Sequence, residues 1–290
     1  MNEIGKRGNW RFPWRVGNGK RYQLLWHVAE ISFRFRPKLK QRVAMSAYNI
    51  IGQQRPGRWL VTCDHASNRV PEDVAGGDLG IEACDMARHI AFDVGAAGLA
   101  VALAQQLDCP AILSDFSRLV IDPNRGEDDP TLVMQLYDGT IIPANRGISA
   151  AEVERRLAML YRPYHDAYAA LAARQADTVI VAVHSFTPCL RGRGPRPWQV
   201  GVLYSHLDAR LSLPLIDALR ALPGLCVGDN EPYDGHLPGD AIDRHALQHG
   251  RQHTLIEVRN DLIGDAGAQE EWAAVLARAL EAALASATLL

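Results

Sequence analysis

Residues 177–186 read DTVIVAVHSF, an apolar run that ends in a histidine, a serine and a phenylalanine. The run is short and rich in β-branched residues, which is typical of a central strand buried on both faces of a sheet. The histidine at its end, His184, has two interpretations. It is either a core histidine satisfied by a backbone hydrogen bond or a functional group at the carboxyl edge of the sheet.

Strand-like and helix-like segments alternate on both sides of this run, from residue 58 to the C-terminus. Further strands are predicted at 58–64, 199–204 and 253–258, with one or two short strands within 111–122. Helices are predicted at 85–107, at 150–174 and along the apolar stripe from Trp272 to Leu284. This alternation predicts an α/β domain with a mixed, largely parallel central sheet flanked by helices.

Two local signals refine the helix at 150–174. Ser149 followed by Glu152 has the spacing of a capping box, which indicates that the helix begins directly after Ser149. Pro163 has no backbone N–H group to donate, so we expect it to kink or break the helix.

The formal net charge of −2 for 290 residues conceals an asymmetry. Residues 1–58 carry 13 lysines and arginines against 2 acidic residues, whereas the rest of the chain has a net charge of −13. We therefore divide the chain into a basic N-terminal extension (1–57) and a mildly acidic domain (58–290). The extension is either an arm for nucleic acid or a membrane surface, or a poorly ordered segment upstream of a natural start at Met45. The second interpretation is favoured, so no nucleic-acid partner is expected.

The overall composition is that of a soluble globular protein, with 48% hydrophobic and 22% charged residues. No apolar run approaches the roughly 18 to 20 residues of a membrane span, and no signal peptide is recognisable. The five cysteines are scattered and form no C-x-x-C pair, which argues against a disulfide framework and against a cysteine zinc ribbon. We expect a cytoplasmic location.

Polar side chains stand at the ends of several predicted strands. His65 follows the first strand, His184 ends the central one, Glu257 lies near the end of the last one, and residues 122–125 (DPNR) close a fourth segment. Because ligands bind beyond the carboxyl ends of strands in open α/β sheets, we expect these groups to share a site. Two imidazoles from separate strands would form half of a zinc site, and a catalytic zinc needs three protein ligands and one open position for water. Glu257 is the candidate general base for that water.

Other catalytic chemistries have weaker support in the sequence. Ser185 follows a strand, but the glycines of a G-x-S-x-G nucleophile elbow are missing. Cys63 and His65 share one face of a strand, so a catalytic Cys–His pair is an alternative, although a plain buried thiol is favoured. The chain has no glycine-rich phosphate loop, which argues against nucleotide chemistry.

A set of segments between about residues 58 and 265 resembles the N-formylglutamate amidohydrolases and follows that family's order. The segments are CDHASNRVPED, ARHIAFDVGA, FSRLVIDPNR, DDPTL, YRPYHDA, AVHSFTP, VGDNEPYDG, DRHA and LIEVRNDLI. Each is weak alone, but the set is highly specific. The resemblance implies a fold similar to that of the zinc carboxypeptidases and the aspartoacylase-like deacylases, the phosphorylase/hydrolase-like fold.

The resemblance also implies roles for the residues that match the family pattern. His65 and His184 would be ligands of a single zinc ion, and Glu257 would be the general base. Arg118 precedes Asn124 by six residues, much as the oxyanion-stabilising arginine precedes the Asn-Arg pair in the deacylases. It would therefore stabilise the negative oxygen of the transition state.

Substrate contacts follow from the same resemblance. Asn124 and Arg125 would hold a substrate carboxylate, and Arg146 is a candidate for a second one. Tyr233 lies in a segment that reads as a loop over the site, and Arg244 is a further candidate for a substrate contact. For Arg146, Tyr233 and Arg244, a turn or surface position is an equally good interpretation.

The third zinc ligand stays open at this point. In the carboxypeptidases a ligating glutamate follows the first histidine by three residues, and that position is Asn68 here. The neutral carbonyl of an asparagine is an inferior zinc ligand. Either Asn68 binds weakly, or a carboxylate completes the site: Glu72 is the nearest in sequence, and Asp93 lies on the following helix.

The reaction implied by the resemblance is zinc-dependent hydrolysis of N-formyl-L-glutamate to glutamate and formate, a step of amino-acid (histidine) degradation. An acidic N-acyl amino acid, a small molecule, would suit several arginines at one site. Two alternatives remain. One is a deacylase or peptidase acting on another N-acyl amino acid or a small peptide, and the other is a non-catalytic binding protein with a decayed metal site.

Overall fold

The computed structural model describes residues 46–287, and a mixed sheet runs through their centre. The strands are β1 Tyr48–Ile51, β2 Trp59–Cys63, β3 Ala111–Ser114, β4 Leu136–Tyr137, β5 Thr140–Ile141, β6 Val179–Phe186, β7 Val200–Leu203, β8 Val227–Asp229 and β9 His253–Arg259. Seven of them form the central sheet in the order β1-β3-β2-β6-β9-β7-β8, while β4 and β5 form a separate hairpin.

Most of the central sheet is parallel. β3, β2, β6 and β9 run in the same direction, β1 is antiparallel to β3, and the parallel pair of β7 and β8 is antiparallel to β9. The α-helices are α1 Ala83–Met86, α2 Ala96–Gln106, α3 Ala150–Arg156, α4 Arg162–Ala172, α5 Ser212–Arg220, α6 Ala241–His245 and α7 Ala266–Ala287. The predicted fold class, α/β with a largely parallel sheet between helices, is confirmed.

The central strand β6 is buried along its whole length, which explains its unbroken apolar sequence. Val181 and Val183 face the cluster that contains the apolar residues of α2, α5 and α7. Ile180 and Ala182 alternate with them and face the opposite cluster, which includes the tyrosines of α4. Each face therefore buries a separate core, and by the same alternation His184 continues the face of Ile180 and Ala182.

The predicted helix at 85–107 is wrong for its first half. Helix α1 ends at Met86, residues 87–95 form turns, and α2 begins only at Ala96. Gly95 stands at the start of α2 with a left-handed φ of 82°, which interrupts a helix that the alanine-rich sequence would otherwise favour. A side chain there would lie 2.4 Å from the Ile263 carbonyl oxygen, so the turn also needs a glycine sterically.

The structure also decides two local predictions, the strands within 111–122 and the helix cap at Ser149. Within 111–122 a single strand forms, β3, and the residues after Ser114 turn away from the sheet. The cap at Ser149 is confirmed, since its hydroxyl accepts the N–H of Glu152 at 3.2 Å.

The long helix at 150–174 is interrupted one turn before Pro163. Residues Leu157–Tyr161 form a π-helical turn between α3 and α4, and Pro163 sits at the beginning of α4. A proline within a regular α-helix would leave one carbonyl unpaired and clash with the carbonyl four residues earlier. The wider π turn supplies the extra residue at this point, and the helix continues.

Residues 48–51 form an edge strand of the central sheet, although they lie before the boundary at 58 predicted from charge. The remainder of the predicted extension, 1–45, lies outside the described residues. No helix among residues 46–287 is both long enough and apolar enough to cross a membrane.

Candidate metal centre and active site

Two histidines meet where the neighbouring strands β2 and β6 approach their ends. β2 ends at Cys63 and His65 follows two residues later, whereas His184 lies within β6. Since these strands are parallel neighbours, their carboxyl ends lie side by side, and the centroids of the two imidazole rings are 4.9 Å apart. Both side chains are buried, so each ring nitrogen requires a buried partner.

The carboxylate of Asp93 lies between the two rings. Its Oδ2 atom is 3.3 Å from Nδ1 of His65 and 2.9 Å from Nδ1 of His184, and it accepts the backbone N–H of Ser185. The loop before α2 is fixed here because the Asp93 N–H donates to the His65 carbonyl at 2.9 Å. Within residues 46–287, these three side chains form the one group of potential metal ligands whose donor atoms all lie within 4.8 Å of one another.

Each histidine has another carboxylate at its second ring nitrogen. Nε2 of His65 lies 2.8 Å from Oδ1 of Asp122, and Nε2 of His184 lies 3.4 Å from Oδ2 of Asp64. Asp64 also accepts the hydroxyl proton of Tyr164 at 2.5 Å. Metal-binding histidines usually donate their remaining N–H to a carboxylate, which fixes the ring and leaves the other nitrogen free for the metal. His65 has this arrangement. At His184 the Asp64 carboxylate lies near, but Nε2 of His184 makes no hydrogen bond within residues 46–287.

The cluster contains more negative charge than its own side chains neutralise. The three aspartates and Glu257 are all buried, against one buried guanidinium, that of Arg118. Burial alone would lower the pKa of His184, but the carboxylates of two aspartates raise it well above its usual value. A divalent cation in place of that proton would further reduce this excess of negative charge. Ligands about 2.1 Å from one tetrahedral ion lie roughly 3.4 Å apart, close to the 3.3 Å and 2.9 Å between Asp93 Oδ2 and the two Nδ1 atoms, so these residues are compatible with a metal ion such as zinc.

Glu257 stands beside this cluster on the adjacent strand. The register of β6 and β9 pairs it directly with His184, and its side chain is 6% exposed. Burial raises the pKa of Glu257 to about 7. Its Oε2 atom has no hydrogen-bond partner within residues 46–287. A carboxyl group with a pKa near neutrality and an uncommitted oxygen is suited to taking up a proton and giving it back.

Arg118 is held against the same cluster by Asp122. Its Nε and Nη2 atoms donate to Oδ2 of Asp122 at 3.1 Å and 2.8 Å. The third nitrogen, Nη1, lies 3.7 Å from Oδ1 of Asp93, and the guanidinium carbon is 5.3 Å from the centroid of the Tyr137 ring. The arginine therefore brings a fixed positive charge to the site with one nitrogen not committed to Asp122.

Asn124 and Arg125 are positioned through their backbone. The Asn124 N–H donates to Asp122 at 2.9 Å, and its side-chain oxygen accepts the N–H of Ala241, at the start of α6, at 3.2 Å. The hydroxyl of Tyr161 donates to the Arg125 carbonyl at 2.6 Å. The Arg125 guanidinium donates to a hydroxyl and a carbonyl, and no ion pair with it occurs within the described part of the chain.

A buried pair of histidines supports the same segment from behind. Nε2 of His165 donates to the carbonyl of Pro123 at 3.0 Å, and its Nδ1 lies 2.8 Å from Nε2 of His245. The His245 ring stacks on Tyr168 with 4.0 Å between centroids. His245 is therefore a buried structural residue behind the Asn124–Arg125 segment.

This histidine pair should make stability depend on pH. Burial lowers the pKa of His165 to about 4 and that of His245 to about 3. An unfolded histidine binds a proton near pH 6.5, so between about pH 6.5 and 4 the unfolded chain holds more protons than the folded one. The contribution of each histidine to the free energy of unfolding therefore falls as the pH is lowered, by up to about 1.4 kcal/mol per pH unit.

The comparison of wild type with His245→Gln isolates this effect. Between pH 4.5 and 6, urea denaturation should give a free energy of unfolding whose pH slope is smaller in the variant by about 1.4 kcal/mol per unit. Burial raises the pKa of Asp240 to about 7, which acts in the opposite direction but equally in both proteins. His249→Gln, at an exposed position, is the control. An unchanged slope in His245→Gln would contradict the prediction.

Several residues singled out from the sequence lie apart from the cluster. Asn68 is exposed, and its amide donates to the carbonyl of Met86 at 2.9 Å. Glu72 and Arg146 are also exposed. Arg244 lies on α6, where its guanidinium is 5.2 Å from the centroid of the Tyr161 ring. None of these contacts places the four side chains in the group formed by the two histidines and Asp93.

Comparisons with known proteins agree with this geometry. A family model described as N-formylglutamate amidohydrolase matches residues 57–264. The chain belongs to this family. A crystal structure of a gene product from Agrobacterium tumefaciens is similar at 32% identity and a TM-score of 0.79, covering 85% of this chain and 98% of that one.

A second solved structure, an N-formylglutamate amidohydrolase from Ralstonia eutropha JMP134, is similar in fold. It has 20% identity and a TM-score of 0.58, and the match covers 82% of this chain and 98% of that one. A comparison of the sequence with curated proteins finds no significant match. The resemblance stated from sequence segments is thus confirmed by the family match.

In this member of the N-formylglutamate amidohydrolase family, sequence reasoning gave no role to Asp64, Tyr164 or Tyr137. The sequence could have marked Asp64, which directly precedes His65. A charged residue at the end of a buried strand must have a buried partner. Tyr164 and Tyr137 reach the site from distant parts of the chain, 100 residues away in the case of Tyr164. No local pattern in the sequence marks them.

Proposed function

We propose that the protein is a metal-dependent amidohydrolase that cleaves N-formyl-L-glutamate, or a closely related N-acyl amino acid, into the amino acid and the free acid. The observation that carries the proposal is the buried group of His65, Asp93 and His184 with Glu257 in register beside it. A set of two imidazoles and one carboxylate with an adjacent proton-accepting group is typical of hydrolytic zinc sites.

The two histidines and Asp93 would hold the ion, most suitably zinc. When bound there, the ion would lower the pKa of a water molecule and polarise the carbonyl of the scissile amide. Asp122 keeps the His65 ring oriented with its Nδ1 facing Asp93, and the Asp64 carboxylate lies 3.4 Å from Nε2 of His184.

Glu257 and Arg118 would carry out the proton transfer and the charge stabilisation. In its ionised form, Glu257 accepts a proton from the attacking water through its uncommitted oxygen. It then delivers that proton to the nitrogen of the departing amine, which would otherwise leave as an unstable anion. The Nη1 atom of Arg118, which does not contact Asp122, donates to the oxygen of the tetrahedral intermediate.

Asn124 and Arg125 would orient the α-carboxylate of the substrate. The Arg125 guanidinium has no carboxylate partner of its own among the described residues, and its backbone is fixed by Tyr161. A planar guanidinium binds a carboxylate through two parallel hydrogen bonds, which sets both the position and the angle of the ligand.

Two competing hypotheses lose support. A decayed metal site was suggested by the weak ligand Asn68, but Asp93 supplies a carboxylate at the position between the histidines. A Cys–His nucleophile is disfavoured because Cys63 is fully buried, and burial raises the pKa of its thiol well above the usual value.

The substrate proposal is tested with a panel of N-formyl and N-acetyl amino acids. Formate or acetate release is measured for purified protein, and bound metal is determined without added zinc. Turnover of N-formyl-L-glutamate by metal-containing protein is the expected result. Turnover of another acyl compound alone would replace the substrate, and a metal-free protein that stays inactive when zinc is added would contradict the proposal.

The third ligand is tested by a matched pair of variants. Asp93→Ala removes the carboxylate between the histidines, so we expect the metal content to fall from about one ion per chain to below a tenth. Asn68→Ala should retain the metal and most of the activity, because its side chain is exposed and bonded to a backbone carbonyl. Elemental analysis of both proteins shows which of the two side chains, Asp93 or Asn68, is the third ligand. Loss of metal in Asn68→Ala with retention in Asp93→Ala would reverse the assignment.

A further inference from the structure

Arg196 lies in the loop that follows β6, and two aromatic rings fix its guanidinium. The guanidinium carbon is 5.6 Å from the centroid of Phe186 and 5.0 Å from that of Tyr233. Its Nη1 atom donates to the Thr187 carbonyl at 3.1 Å and to the Tyr233 hydroxyl at 3.1 Å. The side chain is therefore preorganised at little further cost in conformational entropy when it binds a ligand.

The charge of Arg196 is not neutralised by a neighbouring carboxylate. Within residues 46–287 no ion pair includes it, whereas Arg118, Arg88 and Arg162 each contact at least one acidic side chain. The Arg259 guanidinium donates to the backbone carbonyl of Arg196 at 3.4 Å, which supports the loop without using the charge. The remaining N–H groups of the Arg196 guanidinium are thus available to an anion.

The two rings beside the guanidinium relate its position to the active site. Phe186 follows His184 by two residues on the same strand, and residues i and i+2 of a strand point to the same face. Burial raises the pKa of the phenol of Tyr233, the other ring at Arg196, and the charge of Glu257 raises it further. Arg196 thus contacts one ring, Phe186, that shares a strand face with the metal ligand His184, and a second ring, Tyr233, that lies within electrostatic range of the proposed base.

We infer that Arg196 binds the side-chain carboxylate of the substrate and makes the enzyme selective for N-acyl amino acids with an acidic side chain. The inference rests on the proposed function of the same site. A substrate with two carboxylates needs two cationic groups, and Arg125 accounts for one of them. Arg146, the candidate from the sequence for the second, is exposed in a turn.

Tyr233 completes the proposed subsite. Its hydroxyl oxygen accepts a hydrogen bond from Arg196, so its own proton remains available to donate to the same carboxylate. A guanidinium and a phenol side by side offer three donors to one carboxylate. A neutral side chain such as that of glutamine would leave at least one of these donors without an acceptor. Polar sites discriminate between close analogues in this way.

The test compares two substrates of almost identical shape, N-formyl-L-glutamate and N-formyl-L-glutamine, in wild type and Arg196→Met. We expect kcat/KM for N-formyl-L-glutamate to fall by roughly 30- to 100-fold in the variant, mainly through KM, because a charge-assisted contact is lost. The value for N-formyl-L-glutamine should change by less than about threefold. Arg196→Lys should restore part of the preference.

Arg193→Met, an exposed arginine three residues earlier in the same loop, is the matched control and should behave as wild type. An equal loss on both substrates in Arg196→Met would assign Arg196 a structural role and overturn the inference. If the wild type hydrolyses neither compound, the proposed function fails. The inference about Arg196 is then tested separately, by measuring the affinities of wild type and Arg196→Met for L-glutamate and L-glutamine with calorimetric titration. Preference for glutamate that disappears in Arg196→Met supports it, and no preference, or no binding, overturns it.

Discussion

Glu257→Gln is expected to lower kcat by about 10³-fold while the protein keeps its metal. Glutamine has the same shape but cannot accept a proton, and general acid–base groups contribute roughly 10² to 10⁴ in rate. The amide is also neutral, so it relieves part of the buried negative charge and should not destabilise the fold. Steady-state kinetics and elemental analysis of the same preparation measure the two quantities.

The exposed Glu270→Gln, on helix α7, is the control and should keep wild-type kinetics. Retention of more than a tenth of the wild-type kcat in Glu257→Gln would remove this residue from the proton transfer. Loss of metal together with activity would instead make it a ligand.

His184→Ala is expected to abolish metal binding and activity together. The alanine removes one of three donors from the group and leaves Asp93 with only one imidazole neighbour. Because a bound ion stabilises only the folded state, a chelator should lower the melting temperature of the wild type but not that of the variant. This readout does not depend on turnover.

His249→Ala serves as the control for the loss of an imidazole, since His249 is exposed. It should retain metal and respond to the chelator as the wild type does. A His184→Ala protein with one ion per chain would show that the metal centre lies elsewhere.

Much of the site is visible in the sequence because parallel strands bring their carboxyl ends to one edge. His65, His184 and Glu257 each stand at or near the end of an apolar segment, and the structure brings them together at the ends of β2, β6 and β9. The spacing along the chain, more than 70 residues between successive members, carries no information about their separation. The strand pattern, in contrast, indicates that the three side chains lie close together, because they stand at the carboxyl ends of strands of one sheet.

Asp93 shows what the sequence pattern could not resolve. Its neighbourhood is rich in alanine and leucine, and local propensity favours a helix through it. Tertiary contacts override that preference: Gly95 turns the chain, and the Asp93 backbone donates to the His65 carbonyl. The edge strand β1 was missed for a related reason, since its four residues pair with β3 and have little periodicity of their own.

The π-helical turn at Leu157–Tyr161 determines the direction in which the side chains of α4 point around the helix axis. Each residue advances a regular helix by about 100°, so the extra residue of the turn decides which side chains of the next segment face the sheet. Tyr161, Tyr164 and His165 then share one face, and from it they reach the Arg125 carbonyl, Asp64 and the Pro123 carbonyl. One helix surface thus positions both Asp64, beside His184, and the Asn124–Arg125 segment, and the π-helical turn determines the orientation of that surface.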